Sequence, residues 1–180
     1  MGARELKSYT YEEYLSIDAA TPEEERHELI FGEIYMMSGA SARHQDLVLN
    51  IAVKLKELIK EGCKPRVAPF DLKLSCEGSV NVVQPDVMLY CQDNELPCAV
   101  FEVLSPSTAS KDKTVKKELY EFCGIKEYFI VSPEYKTVDA FVFKDGKYIL
   151  KSYGEEDTLP IKCLEEEIKM VELFEGIDTL

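Results

Sequence analysis

The spacing of apolar side chains predicts three helices along the chain. Residues 41–61 carry apolar side chains at spacings of three and four, which predicts an amphipathic helix ended by Gly62. Its stripe comprises Leu47, Val48, Ile51, Leu55, Leu58 and Ile59. Residues 110–123 return to the same spacing, with Gly124 as the C-cap. A shorter helix is predicted directly after Thr10, the candidate N-cap.

Shorter apolar runs predict the strands. ELIFGEIYMMS alternates around Gly32-Glu33 as in a hairpin, and Asp145-Gly146 marks a second hairpin between two late apolar runs. Pro65, Pro69 and Pro85 confine parts of the intervening runs to strand starts, edges or bulges. The runs are PRVAPFDLKLS, VNVVQPDVMLY, CAVFEVLS, EYFIVSP and TVDAFVFKDGKYIL. The order of elements predicts an α/β (α+β) fold, a mixed central sheet with helices packed on it.

Length and composition predict one globular domain over residues 1–180. The chain is 46% hydrophobic and 31% charged, which is ordinary for a soluble domain, and no linker or repeat interrupts it. The first residues are polar, with no apolar signal segment behind them, and no apolar run is long enough to span a bilayer. We therefore expect a cytoplasmic protein with no membrane association.

The six cysteines include no CxxC pair, and the two histidines, His27 and His44, lie far from most of them. A zinc site needs clustered thiolates or imidazoles, so this spacing argues against one. Several cysteines fall in apolar runs such as CAVFEV and YEFCGI. We expect them to be reduced, buried thiols.

Two acidic residues lie within predicted strands. Asp86 lies in NVVQPDVMLY, and Glu102 lies in AVFEVL, a run apolar enough to be a central strand covered on both faces. An acid there is costly unless it is paired or bound to a metal. Mg²⁺ keeps several waters, so one or two carboxylates and a substrate phosphate can hold it. Two solvent-facing acids are the alternative, and the apolar setting of Glu102 favours the metal site.

The predicted helix over 110–123 offers a cation for this site. At about 100° per residue, Asp112 and Lys116 fall on the flank of the apolar stripe, and Lys113 and Lys117 point to the opposite side. Lys116 is therefore the lysine best placed to reach the sheet. Lys113 and Lys117 are expected to be solvated or to contact DNA phosphate.

The net charge of −13 argues against strong non-specific DNA binding by a lone monomer. The charge is unevenly spread, because residues 155–180 carry nine acids against two lysines while residues 111–117 carry four lysines against one aspartate. An acidic C-terminal segment can therefore coexist with a basic site.

The chain resembles the Uma-type restriction endonuclease domains, a bacterial family within the PD-(D/E)xK nuclease superfamily. The resemblance covers about residues 9–135 and rests on segments in family order. These segments are YEEYLSI, HELIFGEIYMMSGAS with RHQ after it, VVQPDVMLY, AVFEVLSPST and SKDKTVKKELYEFCGIKEYFIVSP. It implies a restriction-endonuclease-like core with a metal site at the strand ends.

The resemblance implies that Asp86 and Glu102 hold Mg²⁺ or Mn²⁺. Leu104 occupies the usual lysine position two residues after the second acid, and Lys116 on the following helix falls where such domains place a substitute. Asp112 could orient Lys116 from the preceding turn, with an exposed i, i+4 ion pair as the alternative.

The same resemblance implies further residues around the metal. Glu28 or Glu33 would be an additional acid, with Glu28 the candidate ligand. His44 matches a histidine near the start of the first long helix, where it could contact phosphate or be a polar capping or surface residue. Ser105 and Ser107 could contact phosphate, although helix capping is the simpler role.

These observations together predict a Mg²⁺-dependent DNA endonuclease that acts as a homodimer, because cutting both strands needs two sites. A nuclease-fold binding module with weak or no activity is the main alternative, favoured by the acidic charge and by Leu104. A hydrolase of RNA or of a smaller phosphodiester is the third.

Overall fold

The computed structural model describes residues 7–22, 25–37, 39–92, 94–105 and 109–177. Its helices are α1 (Tyr11–Ala20), α2 (Ala42–Leu58), α3 (Ala109–Lys111), a π-helical segment (Asp112–Lys116), α4 (Lys117–Phe122) and α5 (Met170–Leu173). Its strands are β1 (His27–Ile30), β2 (Glu33–Met36), β3 (Cys63–Val67), β4 (Leu72–Cys76), β5 (Ser79–Val83), β6 (Val87–Cys91), β7 (Ala99–Val103), β8 (Glu127–Ser132), β9 (Thr137–Lys144), β10 (Lys147–Tyr153), β11 (Thr158–Ile161) and β12 (Glu166–Lys169). Within these ranges no helix is long and apolar enough to cross a membrane.

The central sheet of the described chain has six strands in the order β10-β9-β8-β7-β6-β3. Strands β7 and β8 run parallel, and the other neighbouring strands are antiparallel. The predicted mixed sheet with flanking helices is therefore confirmed. All five residues of β7 are buried, as predicted for a strand covered on both faces.

Two apolar layers cover this sheet. On one face, alternate residues of β6 and β7, such as Leu89 and Phe101, pack against α2 and against the C-terminal residues from Leu159 to Ile177. On the other face, Met88 and Val100 pack against the helical segment over 109–122 and against the sheet β2-β1-β5-β4. Side chains alternate between the faces of a strand, so each central strand contributes to both layers.

Two of the predicted strand runs each divide between the two sheets. The run over 65–75 contains parts of β3 and β4, and the run over 80–90 contains parts of β5 and β6. The breaks fall at Pro69 and Pro85, which cannot donate a ladder hydrogen bond. Pro65 lies in β3, an edge strand, as expected.

The two long predicted helices are present with altered details. Helix α2 ends at Leu58, before the expected end at Gly62. The helix over 109–122 is not uniformly α-helical, because residues 112–116 form a π-helical segment. This segment lies next to the candidate site, where single π-turns are often found.

Helix α1 begins with a capping box. The Thr10 hydroxyl accepts from the Glu13 N–H (3.2 Å), and the Glu13 carboxylate accepts from the Thr10 N–H (2.9 Å). The substitution Thr10→Ala is expected to lower the free energy of unfolding by about 1 kcal/mol, because it leaves an N-terminal N–H group without this acceptor. Urea denaturation measures the change.

Ser16→Ala is the control on the same helix. The Ser16 hydroxyl donates to the Glu12 carbonyl (2.9 Å) at an exposed position, so its removal is expected to change stability by less than about 0.5 kcal/mol. Equal losses in both variants would contradict the capping role of Thr10.

The expectation of reduced cysteines is wrong for this structure. All six lie within the described residues and form three disulfides, Cys63–Cys91, Cys76–Cys123 and Cys98–Cys163. The pairs are far apart in sequence: Cys63 faces Cys91 across the β3–β6 ladder, and Cys76 at the end of β4 meets Cys123 at the end of α4. Sequence spacing cannot reveal such pairs, since strand topology creates them.

Candidate active site

Asp86 and Glu102 meet at one end of the central strands. Asp86 was expected within a strand but lies one residue before β6, and Val87 pairs with Phe101, so Asp86 comes beside Glu102 on β7. The Val103 N–H donates to Asp86 Oδ2 (2.7 Å) and fixes the aspartate against β7. The two predicted carboxylates therefore share one site.

Asp86 and Glu102 line a common cavity of about 230 Å³ between the sheet, the start of α2 and the π-helical segment. Its other polar walls come from these same elements and from the loops beside them. They are Arg26, His44, Gln45, Gln84, Ser105, Lys111, Asp112 and Lys116. The cavity gathers residues that are distant in sequence around the two carboxylates.

Lys116 is a buried cation of this cavity and contacts three of the site's carboxylates. Its Nζ lies 2.8 Å from Glu102 Oε1, 2.9 Å from Glu28 Oε1 and 3.8 Å from Asp112 Oδ1, and its side chain is 3% exposed. Burial lowers the pKa of Lys116, but the charges of Glu102 and Glu28 outweigh this and raise its pKa above the usual range. Lys116 is therefore charged.

Glu28 is a buried acid on β1, and it joins two lysines to the sheet. It forms ion pairs with Lys111 and Lys116, and its Oε1 accepts from the Gln84 N–H (3.0 Å). Burial raises the pKa of Glu28, but Lys116 and Lys111 lower it more, so it falls below the ordinary value. Glu28 is therefore ionised at neutral pH.

Four carboxylates at the site form ion pairs with two lysines and one histidine. The acids are Glu28, Asp86, Glu102 and Asp112, and the bases are Lys111, Lys116 and His44. Arg26 also lines the cavity, so the site brings together four acidic and four basic side chains.

Burial and the neighbouring carboxylates disfavour the charged form of Glu102. Burial raises its pKa well above the usual range, Lys116 offsets part of this rise, and the charges of Asp112, Asp86 and Glu28 add to it. A divalent cation beside Glu102 would favour its charged form, and the carboxylate oxygens of Asp86 and Glu102 are donors of the kind that Mg²⁺ and Mn²⁺ take.

His44 lies in the first turn of α2, where its backbone N–H donates a hydrogen bond to the Ser41 hydroxyl (3.2 Å). Its Nε2 lies 3.2 Å from Asp86 Oδ2, and the ring is 12% exposed. Burial lowers the pKa of His44, but the hydrogen bond and the charge of Asp86 raise it above its ordinary value. Of the two roles left open for His44, the capping or surface role does not hold, because Ser41 is the cap and His44 faces the site.

Several predicted residues lie elsewhere. Glu33 is exposed on β2, where it accepts from the Tyr35 hydroxyl (2.7 Å), so Glu28 rather than Glu33 is the additional acid at the site. Lys113 is exposed, and the Lys117 ammonium lies 5.7 Å from the centre of the Phe141 ring, away from the cavity. Ser105 lines the cavity.

Leu104 and Ser107 are the remaining positions named from the sequence. Leu104 packs against the apolar layer on the side of the helical segment, so its position contributes no charge. Ser107 lies outside the described residues. The cation that the sequence pattern lacks at 104 is present at Lys116.

The family model described as "Uma2: Putative restriction endonuclease" matches residues 11–172. The chain belongs to this family. The matched span contains β1, β6, β7 and the helical segment that carries Lys116, so the family assignment covers every element of the site. The resemblance found in the sequence is confirmed, and the family is one of restriction-endonuclease-like nucleases.

Two relatives of this Uma2 protein come from Synechocystis sp. (strain ATCC 27184 / PCC 6803 / Kazusa). "Uncharacterized protein slr1290" is 29% identical over 92% of this chain and 91% of its own length. "Uncharacterized protein sll1609" is 29% identical over 79% of this chain and 81% of its own length.

A solved structure shares the fold of this Uma2 protein. The crystal structure of "a putative nuclease belonging to DUF820 from Anabaena variabilis ATCC 29413" superimposes with a TM-score of 0.74, over 94% of this chain and 99% of that chain. At 15% identity this likeness shows the fold alone.

The structure adds two residues that the sequence interpretation did not assign. Tyr120 is fully buried, and its hydroxyl donates to Glu102 Oε1 (2.9 Å). Its spacing of four from Lys116 was a usable signal, because residues one turn apart share a helix face. Lys111, which lies five residues before Lys116, also pairs with Glu28. Residues five apart do not share a face of a regular α-helix, so the spacing does not predict that both lysines reach the same acid.

Proposed function

We propose that this Uma2 protein is a metal-dependent DNA endonuclease that hydrolyses phosphodiester bonds. The observation that carries the proposal is the position of the Lys116 ammonium between Glu102 and Glu28, in the cavity that Asp86 also lines. A buried lysine beside carboxylates at strand ends provides both positive charge and oxygen ligands.

Asp86 and Glu102 would hold Mg²⁺ or Mn²⁺, with Glu28 as the third acid. When bound, the metal would orient the scissile phosphate, lower the pKa of a water and stabilise negative charge. The Val103 N–H and His44 Nε2 both contact Asp86 Oδ2. These contacts orient the carboxylate for metal binding.

Lys116 would stabilise the negative charge that develops on the phosphate oxygens and would position the attacking water. Its ammonium is preorganised by Glu102, Glu28 and Asp112, so it needs little reorganisation during the reaction. Tyr120 keeps Glu102 in place through its hydrogen bond to Oε1.

His44 and Ser105 are the proposed phosphate contacts on the walls of the cavity. The raised pKa of His44 favours its cationic form, which attracts phosphate. Lys113 and Lys117 lie outside the cavity and would act only on more distant phosphates of a long substrate.

The DNA substrate is proposed from the family description, and two copies of the site would be needed to cut both strands. The acting form is therefore proposed to be a homodimer. Plasmid cleavage distinguishes a homodimer from independent monomers. Paired sites convert supercoiled DNA directly to linear DNA, whereas with independent sites nicked circles accumulate first.

The test is cleavage of supercoiled plasmid with Mn²⁺ or Mg²⁺ at low salt, with single-stranded RNA and a small phosphodiester as parallel substrates. Cleavage of DNA that stops with a chelator and resumes with Mn²⁺ is expected. Glu102→Gln should be inactive, because an amide is a poor metal ligand. Glu33→Gln, an exposed acid outside the cavity, should cleave like wild type.

The outcomes separate the alternatives. Cleavage of RNA or of the small substrate alone would move the proposal to that substrate class. A wild-type protein as inert as Glu102→Gln on all three substrates would contradict the endonuclease and would favour a binding module with a nuclease fold.

A further inference from the structure

Two disulfides lie against each other at the other end of the strands that carry the candidate active site. The Sγ atoms of Cys91, Cys98 and Cys163 all lie within 4.8 Å of one another. Cys63 is bonded to Cys91, and Cys98 is bonded to Cys163. Three sulfur atoms therefore form one cluster, and the sulfur of Cys63 lies beside it through its bond to Cys91.

Three of these cysteines are positioned by sheet hydrogen bonds rather than by the disulfides. Cys63 on β3 faces Cys91 on β6 in the antiparallel ladder. The Cys98 N–H, just before β7, donates to the Leu89 carbonyl (2.8 Å). These backbone contacts do not depend on the oxidation state of the sulfurs, so the three side chains remain close after reduction.

The fourth cysteine is held by a buried carboxylate. Glu127, at the start of β8, accepts from the Lys162 N–H (2.9 Å) and from the Cys163 N–H (2.8 Å). Lys60 also donates to the Leu164 carbonyl (3.0 Å), which places a positive charge one residue from Cys163. The turn that carries Cys163 is thus fixed on the sheet by contacts other than its disulfide.

We propose that Cys63, Cys91, Cys98 and Cys163 bind one Zn²⁺ when both disulfides are reduced. Three of the sulfurs lie within 4.8 Å of one another and the fourth, from Cys63, is bonded to one of them, so rotation of the side chains after reduction would bring four thiolates around one tetrahedral Zn²⁺. The absence of a CxxC pair in the sequence does not exclude it, because the sheet brings the four ligands together.

Reduction followed by zinc binding would convert the two disulfides to a zinc tetrathiolate, and oxidation would reverse the change. A dithiol or phosphine reductant supplies four electrons, and four protons complete the conversion of the two disulfides to four thiols. Zn²⁺ then displaces the four thiol protons to form a tetrathiolate. In the reverse direction, two molecules of hydrogen peroxide take up the four electrons and four protons to give four waters, and two disulfides form as Zn²⁺ leaves.

The zinc site would cross-link the edge strand β3, the central strands β6 and β7 and the C-terminal turn, as the disulfides do in the oxidised state. The C-terminal segment would then stay attached to the sheet under both reducing and oxidising conditions. This role does not depend on the proposed nuclease activity.

The test is a Co²⁺ titration of the protein reduced with a phosphine and kept free of oxygen. Glu102→Gln serves as the background, so that the carboxylate site does not compete. We expect thiolate-to-cobalt charge-transfer absorption in the near ultraviolet and tetrahedral d–d bands in the visible, saturating at one Co²⁺ per chain, with Zn²⁺ abolishing both. Failure to develop charge-transfer absorption would overturn the proposal.

Matched cysteine variants locate the site. Cys163→Ser should weaken Co²⁺ binding by about a hundredfold, since it removes a ligand. Cys123→Ser, which breaks the separate Cys76–Cys123 pair, should bind like the background protein. Equal affinities in Cys163→Ser and the background protein would overturn the assignment of the ligands.

Alkylation of the reduced protein supplies a test that needs no cysteine variant. Addition of Zn²⁺ should slow alkylation at the four clustered cysteines by at least about tenfold and leave Cys76 and Cys123 unchanged. Identical alkylation rates with and without Zn²⁺ at the four positions would also overturn the proposal.

Discussion

Lys116→Met is expected to reduce phosphodiester cleavage by about a hundredfold to a thousandfold, because it removes the preorganised cation of the site. It is also expected to lower the free energy of unfolding by about 3–5 kcal/mol, since Glu28 and Glu102 remain buried without the ammonium that contacts both. Methionine keeps an unbranched chain of similar length, so the change is chiefly one of charge.

Plasmid cleavage and urea denaturation measure the two effects, with Lys113→Met as the matched control. Lys113 is exposed in the same π-helical segment, so its replacement should leave both quantities nearly unchanged.

A double variant separates activity from stability. In Lys116→Met with Glu28→Gln, one of the two buried carboxylates that lose the contact with Lys116 becomes neutral, so part of the lost stability should return while cleavage stays absent. If stability and cleavage returned together, the activity loss in Lys116→Met would be a consequence of unfolding, and the catalytic role of Lys116 would be contradicted.

Much of the fold was predictable from local patterns. Periodic apolar positions located the helices, and the Asp145-Gly146 turn located the β9–β10 hairpin. The division of two apolar runs between separate sheets was not predictable, because a strand run looks alike whichever sheet it joins. The prolines at 69 and 85 marked the breaks without indicating where the chain goes next.

The site was predictable where a charged residue fell in an apolar run, because a buried charge needs a partner. Glu102 in an apolar run needed a partner, and Lys116 on the flank of the stripe was the partner found. The angle of about 100° per residue used for this helix holds only for a regular α-helix. The π-helical turn changes the spacing, so the role of Lys111 was not predicted. Long-range pairs such as Cys98–Cys163 depend on topology that no local spacing encodes.

Asp86→Asn and Glu102→Gln are each expected to weaken Mn²⁺ binding by about a hundredfold. Both substitutions replace an anionic ligand with a neutral amide, and loss of ligand charge lowers the affinity for a hard divalent cation. Glu33→Gln removes the same charge from the exposed surface of β2, outside the cavity, and should bind Mn²⁺ like wild type. Circular dichroism of each variant verifies that the fold is intact.

Calorimetric titration of Mn²⁺ into the oxidised protein is the most direct measurement of the central claim, because the disulfides then leave no thiolate to compete. One Mn²⁺ site per chain in wild type and in Glu33→Gln, with affinity lowered about a hundredfold in Asp86→Asn and in Glu102→Gln, is the result that a metal-dependent nuclease site requires. Equal Mn²⁺ affinity in all four folded proteins would contradict it.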